Sequence, residues 1–162
     1  MDDLVERDGI HYKKFSDVPF TGEVEGREQG KFKNGKREGP WVEFYENGQL
    51  FIKGEYRNGK REGPWVEFYE NGQLFIKGEY RNDKQEGPWV EYYNDGWWRS
   101  KGGYRNGWKD GPWVTYNANG QLDSKGEYKS GKHEGRWVYY EYYGILMTCL
   151  SVVFKNDVKI SD

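Results

Sequence analysis

A letter-for-letter internal duplication constrains this chain more than any other feature. Residues 34–57 read NGKREGPWVEFYENGQLFIKGEYR, and residues 58–81 repeat that sequence without a change. Related copies follow at 82–105 and 106–129, and a divergent copy occupies 130–155. Self-similarity at a fixed period of this length indicates a repeat array, in which one supersecondary unit stacks on the next. We do not expect an enzyme, because catalysis needs one unique constellation and most residues here have copies.

The composition indicates a folded chain despite its polarity. Charged residues make up 32% of the 162 residues and the mean hydropathy is −1.13, which resembles a disordered protein. However, 19% of the residues are aromatic, and disordered chains contain few aromatic side chains. Since each aromatic ring buries a large area on folding, we expect an aromatic core in place of an aliphatic one.

Charge and cysteine content exclude several classes of function. The net charge is −2, so the basic surface that a nucleic-acid partner requires is missing. Cys149 is the only cysteine, which leaves no disulfide framework and no zinc cluster. The two histidines are far apart in the sequence, and no nucleophile motif or phosphate-binding loop is present. We therefore expect no catalytic, metal-binding or cofactor-binding residues.

Each repeat has the pattern of one β-hairpin. In the first full copy, residues 41–45 (WVEFY) and 49–56 (QLFIKGEY) are rich in β-branched and aromatic residues. Asn47-Gly48 between them predicts a two-residue type I′ turn. The density of glycine and the lack of a 3.6-residue periodicity disfavour helix. The prediction is an all-β fold, an elongated, single-layer antiparallel meander of tandem 24-residue β-hairpin repeats.

The period also predicts a register. With the type I′ turn, Trp41 faces Gly54, and a four-residue connection at 58–61 places Gly54 opposite Trp65, so that rows of side chains run straight. We prefer this loop to a two-residue turn, which would slip the array by two residues per repeat. Each Trp then lies beside the glycine of Gly-Glu-Tyr, and each Tyr beside the glycine of Gly-Pro-Trp, which gives the rings room. The predicted structural core is Trp41, Trp65, Trp89, Trp113, Trp137, Tyr56, Tyr80, Tyr104 and Tyr128.

The two ends of the chain are predicted to differ from the repeats. Residues 1–19 should form an N-terminal capping hairpin around Asp8-Gly9, residues 20–157 the array of about five to six repeats, and residues 158–162 a C-terminal tail. Repeat arrays need atypical terminal units, because an open sheet edge recruits other chains. The apolar run 145–154 is interpreted as such a cap, and a homodimer formed through this edge is the alternative.

Residues that break the repeat rule are the first candidates for binding a partner. Trp97 and Trp98 stand where other copies have Gln-Leu; we expect Trp98 to lie on the core face and Trp97 on the opposite face. Trp108 lies in a loop where burial is hard to arrange, and exposed Trp side chains are frequent binding anchors. The structural alternative for Trp97 and Trp108 is drift after duplication.

A second candidate surface lies opposite the Trp row. The register places there an apolar patch, which on soluble proteins tends to mark an interaction surface: Phe44, Phe51, Phe68 and Phe75. The structural alternative is that sheet twist and the stems of flanking lysines cover these rings. Lysines at positions 53, 77, 101 and 125 lie on the same face, and glutamates two residues away balance most of them.

The repeat sequence resembles a known family. Residues 54–63 (GEYRNGKREG) and their copies resemble the MORN repeat, whose pattern runs Gly-Glu-aromatic-x-Asn-Gly-Lys-x-x-Gly. With the added Gly-Pro-Trp and Asn-Gly-Gln-Leu steps, the chain is similar to the bacterial MORN variant of the YwqK-type antitoxin-component family. The resemblance covers about residues 20–157 and departs at 94–98, 106–108 and 143–154. It implies an elongated β-hairpin array without catalytic activity, and a role in protein scaffolding or contact with membrane lipids.

The sequence therefore predicts a non-enzymatic scaffold that binds a protein partner through the Phe-bearing face or an exposed edge. A peripheral module for anionic phospholipid is the first alternative, and an antitoxin-like protein that neutralises a partner toxin is the second. No apolar stretch reaches membrane-spanning length, and the N-terminus has no apolar signal core. A cytoplasmic location is expected, or a secreted or periplasmic one if the chain is a processed form.

Overall fold

The computed structural model describes residues 3–143 and 146–161. All the regular secondary structure in these ranges is β-strand. The strands are β1 (Leu4–Arg7), β2 (Ile10–Lys13), β3 (Gly22–Val24), β4 (Glu28–Lys33), β5 (Lys36–Phe44), β6 (Leu50–Arg57), β7 (Lys60–Arg61), β8 (Gly63–Phe68), β9 (Leu74–Arg81), β10 (Lys84–Tyr92), β11 (Trp98–Arg105), β12 (Trp108–Tyr116), β13 (Leu122–Lys129), β14 (Lys132–Tyr143), β15 (Leu146–Lys155) and β16 (Val158–Ser161). The described ranges contain no helix that is long and apolar enough to cross a membrane.

Nearly all strands belong to one open antiparallel sheet that follows the order of the chain. Over the described residues this sheet has 14 strands, which run from β3 to β16 with the short β7 paired to β6 beside β8. Strands β1 and β2 form a separate two-stranded sheet. The predicted all-β antiparallel meander of tandem hairpins is confirmed.

The turn at Asn47-Gly48 differs from the prediction. Of the two residues only Gly48 has a positive φ, +83°, and its N–H donates to the carbonyl oxygen of Tyr45 at 3.0 Å. The Tyr45 N–H donates to the Gln49 carbonyl oxygen at 2.8 Å, so the loop has three residues and ends in a left-handed glycine. The type I′ prediction was wrong because the Asn47 side chain caps the turn instead: its Oδ1 accepts the Gln49 N–H at 2.9 Å.

The connection between repeats is the type I′ turn. Asn58 and Gly59 have φ values of +52° and +80°, and Arg57 pairs with Lys60 across them. The predicted four-residue loop was therefore wrong. Equivalent pairs with positive φ at both positions recur along this edge: Asn34-Gly35, Asn82-Asp83, Asn106-Gly107, Ser130-Gly131 and Asn156-Asp157.

A bulge at the Gly-Pro step keeps the rows straight despite the tight turn. Tyr56 pairs with Arg61 next to the turn, whereas Lys53 pairs with Val66 farther along, so the register shifts by two residues between them. Gly63 lies in this bulge with a φ of +77°, and a Cβ there would meet nothing within 4 Å. The sequence had indicated that this glycine makes room for a Tyr ring. Instead, it supplies an unusual backbone conformation.

The glycines inside the strands serve the Trp rings. A Cβ on Gly54 would overlap Cε3 of Trp65, and the same overlap with the next Trp ring recurs at Gly30, Gly78, Gly102 and Gly126. The indole therefore lies against the bare backbone of the neighbouring strand. As a result the five Trp side chains of this row are at most 2% exposed, although the sheet has a single layer.

Tyr rings alternate with these Trp rings in one continuous ladder. Trp65 meets Tyr56 at a centroid distance of 5.6 Å and Tyr80 at 5.4 Å, both edge to face. The same geometry runs from Trp41 to Trp137. Such edge-to-face pairs stabilise aromatic contacts beyond the area that they bury. The ladder is the core of the molecule.

The units at the two ends of the ladder differ from the repeats. At the N-terminal end the β1–β2 hairpin places His11 against Phe32 at 4.6 Å, and the His11 N–H donates to the Gly35 carbonyl oxygen at 2.8 Å. At the other end, where a tail was predicted, residues 158–161 form β16 and pair with β15. Of the apolar run 145–154, residue 145 lies outside the described residues, and whether this edge also forms a dimer stays a prediction.

The half-buried Tyr rings make stability sensitive to alkaline pH. Burial, assisted by the Glu91 carboxylate, raises the pKa of Tyr104 to about 12, and burial also raises the pKa of Tyr56 and Tyr80. A raised phenol pKa means that the folded state prefers the neutral form. The half-buried phenol therefore contributes fully to folding stability below about pH 10, the pH at which Tyr in the unfolded chain begins to ionise. This contribution is lost as the pH rises through about 12.

We expect the free energy of unfolding to fall between about pH 10 and 12. Urea titrations followed by Trp fluorescence across this range measure the decline, and the Tyr104→Phe variant should flatten it. A free energy of unfolding that stays constant over this range would contradict the assignment.

Candidate interaction surface

One long edge of the sheet consists of the three-residue turns, each packed on the next. The side chain of Gln49 lies over Gly72, with Oε1 3.3 Å from a Cβ placed there, and Gln73 lies over Gly96 in the same way. Trp97 takes the Gln position in the following copy, and its Cε3 lies 3.2 Å from a Cβ placed on Gly120. Trp97 is nevertheless 59% exposed. It therefore extends a structural row and still presents an indole face to solvent.

The sequence had indicated that Trp98 lies on the core face, and this prediction was wrong. It is 48% exposed, its ring lies 5.9 Å from that of Tyr116, and Lys101 Nζ is 3.3 Å from its centroid. Both neighbours belong to the face opposite the Trp row. The reason is a β-bulge beside the pair formed by Tyr92 and Trp98. The bulge shifts the alternation of side chains between the two faces of the sheet.

Trp108 lies on the opposite long edge, among the type I′ turns. It is 63% exposed, and its Cε3 lies 2.7 Å from a Cβ placed on Gly131. The aliphatic stem of Lys84 covers Gly107 in the equivalent place. Strand β11 separates Trp97 from Trp108 by roughly 26 Å at about 3.3 Å per residue. The structure therefore does not bring these two candidates together.

The four Phe candidates are half-buried: Phe44, Phe51, Phe68 and Phe75. The Phe51 ring contacts Tyr45 at 4.8 Å, and Phe75 contacts Tyr69 at the same distance. The Tyr45 hydroxyl in turn donates to the Phe68 carbonyl oxygen at 2.7 Å, which ties one turn to the next. These rings take part in the packing of the turns and offer less free surface than the exposed Trp residues.

Trp97 and Trp98 are exposed neighbours in the sequence, and the Trp98 ring lies 5.9 Å from that of the half-buried Tyr116; we call these three residues the Trp97 cluster. Sequence reasoning found the two Trp residues because they break the repeat, but it missed Tyr116. No sequence signal places Tyr116 beside Trp98, because that contact depends on the bulge at Tyr92. The adjacent Lys101 Nζ lies 5.4 Å from the Tyr116 ring centroid and gives the cluster a positive rim.

Many of the other charges on the sheet are balanced or structural. Exposed lysines such as Lys53 and Lys77 alternate with exposed glutamates such as Glu55 and Glu79. On the other face, Glu43 and Glu67 accept the indole N–H of the Trp two residues earlier, at 3.0 and 2.8 Å. Among the described residues there is no group of three or more His, Cys, Asp or Glu side chains that could hold a metal ion.

Three segments of the chain match a known protein family. The model of the MORN repeat variant matches residues 37–58, 61–82 and 109–130. No curated protein matches the chain. The copy that contains Trp97 and Trp98 lies between the second and third matched segments, which agrees with its departure from the repeat pattern.

Proposed function

We propose that this chain, three segments of which match the model of the MORN repeat variant, is a non-enzymatic scaffold of MORN repeats that binds a protein partner through the Trp97 cluster. MORN repeats are in general modules for contact with proteins or membranes. The observation that carries the proposal is the exposure of Trp97 at 59% and Trp98 at 48%, where other copies carry Gln and Leu. Trp residues at such positions supply a large share of binding energy in protein interfaces.

The setting of the cluster favours binding. The Trp97 ring rests on the Gly120 turn, and the Trp98 ring is held between Lys101 and Tyr116. Side chains that are already restricted lose little conformational entropy when a partner binds. Trp108, on the other edge, is an additional anchor for a partner that spans the width of the sheet.

A phospholipid surface is the alternative partner. Exposed Trp rings also suit the interface between membrane and water, and Lys53, Lys77 and Lys125 are exposed. The exposed glutamates beside them cancel most of the attraction to anionic headgroups. For this reason we favour a protein partner, and vesicle binding enters the test as a contrary outcome.

We further propose that the chain belongs with the bacterial YwqK-type variant of the family. The Gly-Pro-Trp steps and the Asn-Gly-Gln-Leu turns support this placement. If this placement is correct, a toxin enzyme is one class of protein partner to test. Rescue of cell growth when the chain is co-expressed with a neighbouring toxic gene would identify such a partner.

The chain itself supplies the variant that tests the scaffold proposal. Replacing Trp97, Trp98 and Trp108 by Gln, Leu and Lys restores the residues of the identical copies, so the fold should be kept. We expect recovery of the co-purifying partner to fall at least about tenfold, because interface Trp residues often contribute about 2 kcal/mol or more each. Quantitative co-purification from the native source measures this effect.

A matched control and a contrary outcome make the test decisive. Val158→Lys removes an equally exposed apolar side chain (63%) at the far end of the sheet and should leave recovery unchanged. Equal recovery with the triple variant would overturn the proposal. Salt-sensitive co-sedimentation with anionic vesicles that is lost in the triple variant would replace the protein partner by a lipid surface.

A further inference from the structure

The first full repeat holds a carboxylate between an indole N–H and a cation. Trp41 Nε1 donates to Glu43 Oε1 at 3.0 Å, and the same oxygen lies 3.7 Å from the Arg37 guanidinium. Arg37 also lies over the Trp41 ring, 4.6 Å from its centroid, and pairs with Glu28 at 3.0 Å. The indole N–H and the cation on this face therefore share one acidic partner.

The fourth copy keeps both donors and loses both acids. Lys109 occupies the place of Arg37, with Nζ 4.1 Å from the Trp113 centroid. Thr115 stands where Glu43 stands in the first repeat. Ser100 pairs with Thr115 across the strands, just as Glu28 pairs with Glu43. Two hydroxyls have thus replaced two carboxylates around a cation.

Trp113 is consequently left without an acceptor. It is 2% exposed, and its Nε1 has no hydrogen-bond partner among the described residues. Its Cε3 lies over Gly102 as that of Trp65 lies over Gly54, so the N–H points toward residue 115. Buried donors are rarely left unpaired in folded proteins, because their desolvation is unfavourable.

Two other Trp residues show that a partner can be found within the fold. Trp89 and Trp137 turn the other side of the ring toward the neighbouring glycine and donate to backbone carbonyl oxygens, of Glu79 at 3.2 Å and of Glu127 at 3.0 Å. Trp113 does not adopt this orientation. Its unpaired N–H is therefore specific to the fourth copy.

A cavity of about 290 Å³ lies beside this donor. Ser100, Lys109, Trp113 and Thr115 line it, and its size suits a small organic group. The other charged groups that face it are Glu91, Arg99 and Asp123; Asp123 is engaged by the Thr115 hydroxyl at 2.8 Å. Burial lowers the pKa of Lys109, and the Glu91 charge only partly opposes this effect. A further anion near Lys109 would stabilise its ammonium form.

We propose that this cavity binds a carboxylate group between the Trp113 indole N–H and the Lys109 ammonium, where the first repeat holds Glu43. The hydroxyl of Ser100, which also lines the cavity, is an additional donor, whereas that of Thr115 already donates to Asp123. Because Lys109 lies over the Trp113 ring, its flexible side chain must change rotamer to admit the ligand. The carboxylate belongs either to a free small acid or to an acidic side chain of a bound protein. The second source rests on the proposed scaffold function, and the first does not.

Titration of ¹⁵N-labelled protein with acetate, at an ionic strength held constant with sodium chloride, tests the site. The indole N–H resonance of Trp113, assigned with the Trp113→Phe variant, should move downfield and saturate, since a charge-assisted hydrogen bond forms there. The resonances of Trp41 and Trp65, which already have carboxylate partners, should stay in place. The absence of a saturable shift at Trp113 would overturn the proposal.

Two variants separate a site from a general solvent effect. Lys109→Gln introduces the residue found at position 85 of the third copy and should abolish saturation. Thr115→Glu supplies the carboxylate internally, so the Trp113 resonance should be shifted without acetate and should not respond to it. If Thr115→Glu fails to fold, Lys109→Gln decides alone. An unchanged titration in Lys109→Gln would contradict the proposal.

A peptide arm identifies the source of the carboxylate. A blocked Gly-Glu-Gly peptide that shifts the Trp113 resonance, with no effect from Gly-Gln-Gly, supports recognition of an acidic side chain. Binding of acetate without the peptide supports a site for small free acids. Because acetate binding needs no partner protein, it can be observed even if the Trp97 cluster binds no partner. Likewise, partner binding by the Trp97 cluster can be observed even if acetate does not bind.

Discussion

Replacing Trp65 by alanine is expected to destabilise the folded chain by about 3–5 kcal/mol. Trp65 is 2% exposed and lies edge to face between Tyr56 and Tyr80. Its removal leaves a cavity above Gly54 that no side chain can fill, because glycine has none. The indole N–H bond to Glu67 at 2.8 Å is lost as well. Urea denaturation followed by far-ultraviolet circular dichroism measures the change.

The position of Trp65 inside the array enlarges the effect. In repeat proteins each unit is stabilised mainly by its neighbours, and Trp65 belongs to contacts on both sides. Trp97→Ala is the matched control, since that residue is 59% exposed, and we expect its change to stay within about 1 kcal/mol. Equal destabilisation by the two substitutions would show that the aromatic ladder is not the core.

Replacing Gly54 by alanine is the second large effect, with an expected loss of about 1–3 kcal/mol or more. The new Cβ would overlap the Trp65 ring at Cε3. The Trp65 ring has little room to move aside, because Tyr56 and Tyr80 pack against it at centroid distances of 5.6 and 5.4 Å. Chemical denaturation of the variant, with Trp fluorescence as the probe, should report both lower stability and a changed environment of the indole.

Gly63 provides a control with a different physical origin. A Cβ there meets nothing within 4 Å, but φ is +77°, so Gly63→Ala should lose about 1–2 kcal/mol through backbone strain alone. Asparagine tolerates this conformation better than alanine, and Gly63→Asn should recover part of the loss. At Gly54 the larger asparagine should destabilise the folded chain more than alanine does. The opposite order at either glycine would refute the distinction between the two sets.

Local patterns in the sequence were sufficient for the fold but not for the turns. Asn-Gly occurs in both connections of the repeat, so the dipeptide cannot distinguish them. The choice depends on contacts between repeats: Asn47 Nδ2 donates to the carbonyl oxygen of Glu70, in the next repeat, at 3.0 Å. The type I′ conformation is thus found at Asn58-Gly59 and not at Asn47-Gly48.

The candidate surfaces were foreseen only in part. Departure from the repeat pointed to Trp97 and Trp108, and both are exposed. The contact between Trp98 and Tyr116 required knowledge of a bulge, which no alternation of residues announces. Thr115 stands where the identical copies have Glu43 and Glu67, but sequence reasoning did not single it out. Its meaning depends on the direction of the Trp113 N–H, and that direction is a tertiary property.

The repeat by itself determined the all-β meander, the 24-residue period and the burial of one Trp per copy beside a strand glycine. These features follow from side-chain alternation and from the steric demands of glycine, which act over a few residues. Only the tertiary structure decided which glycines accommodate a ring and which supply a positive φ. It also decided which face Trp98 occupies and which indole lacks an acceptor. Each of these depends on atoms one repeat away, where bulges reset the register and substitutions remove a partner from another strand.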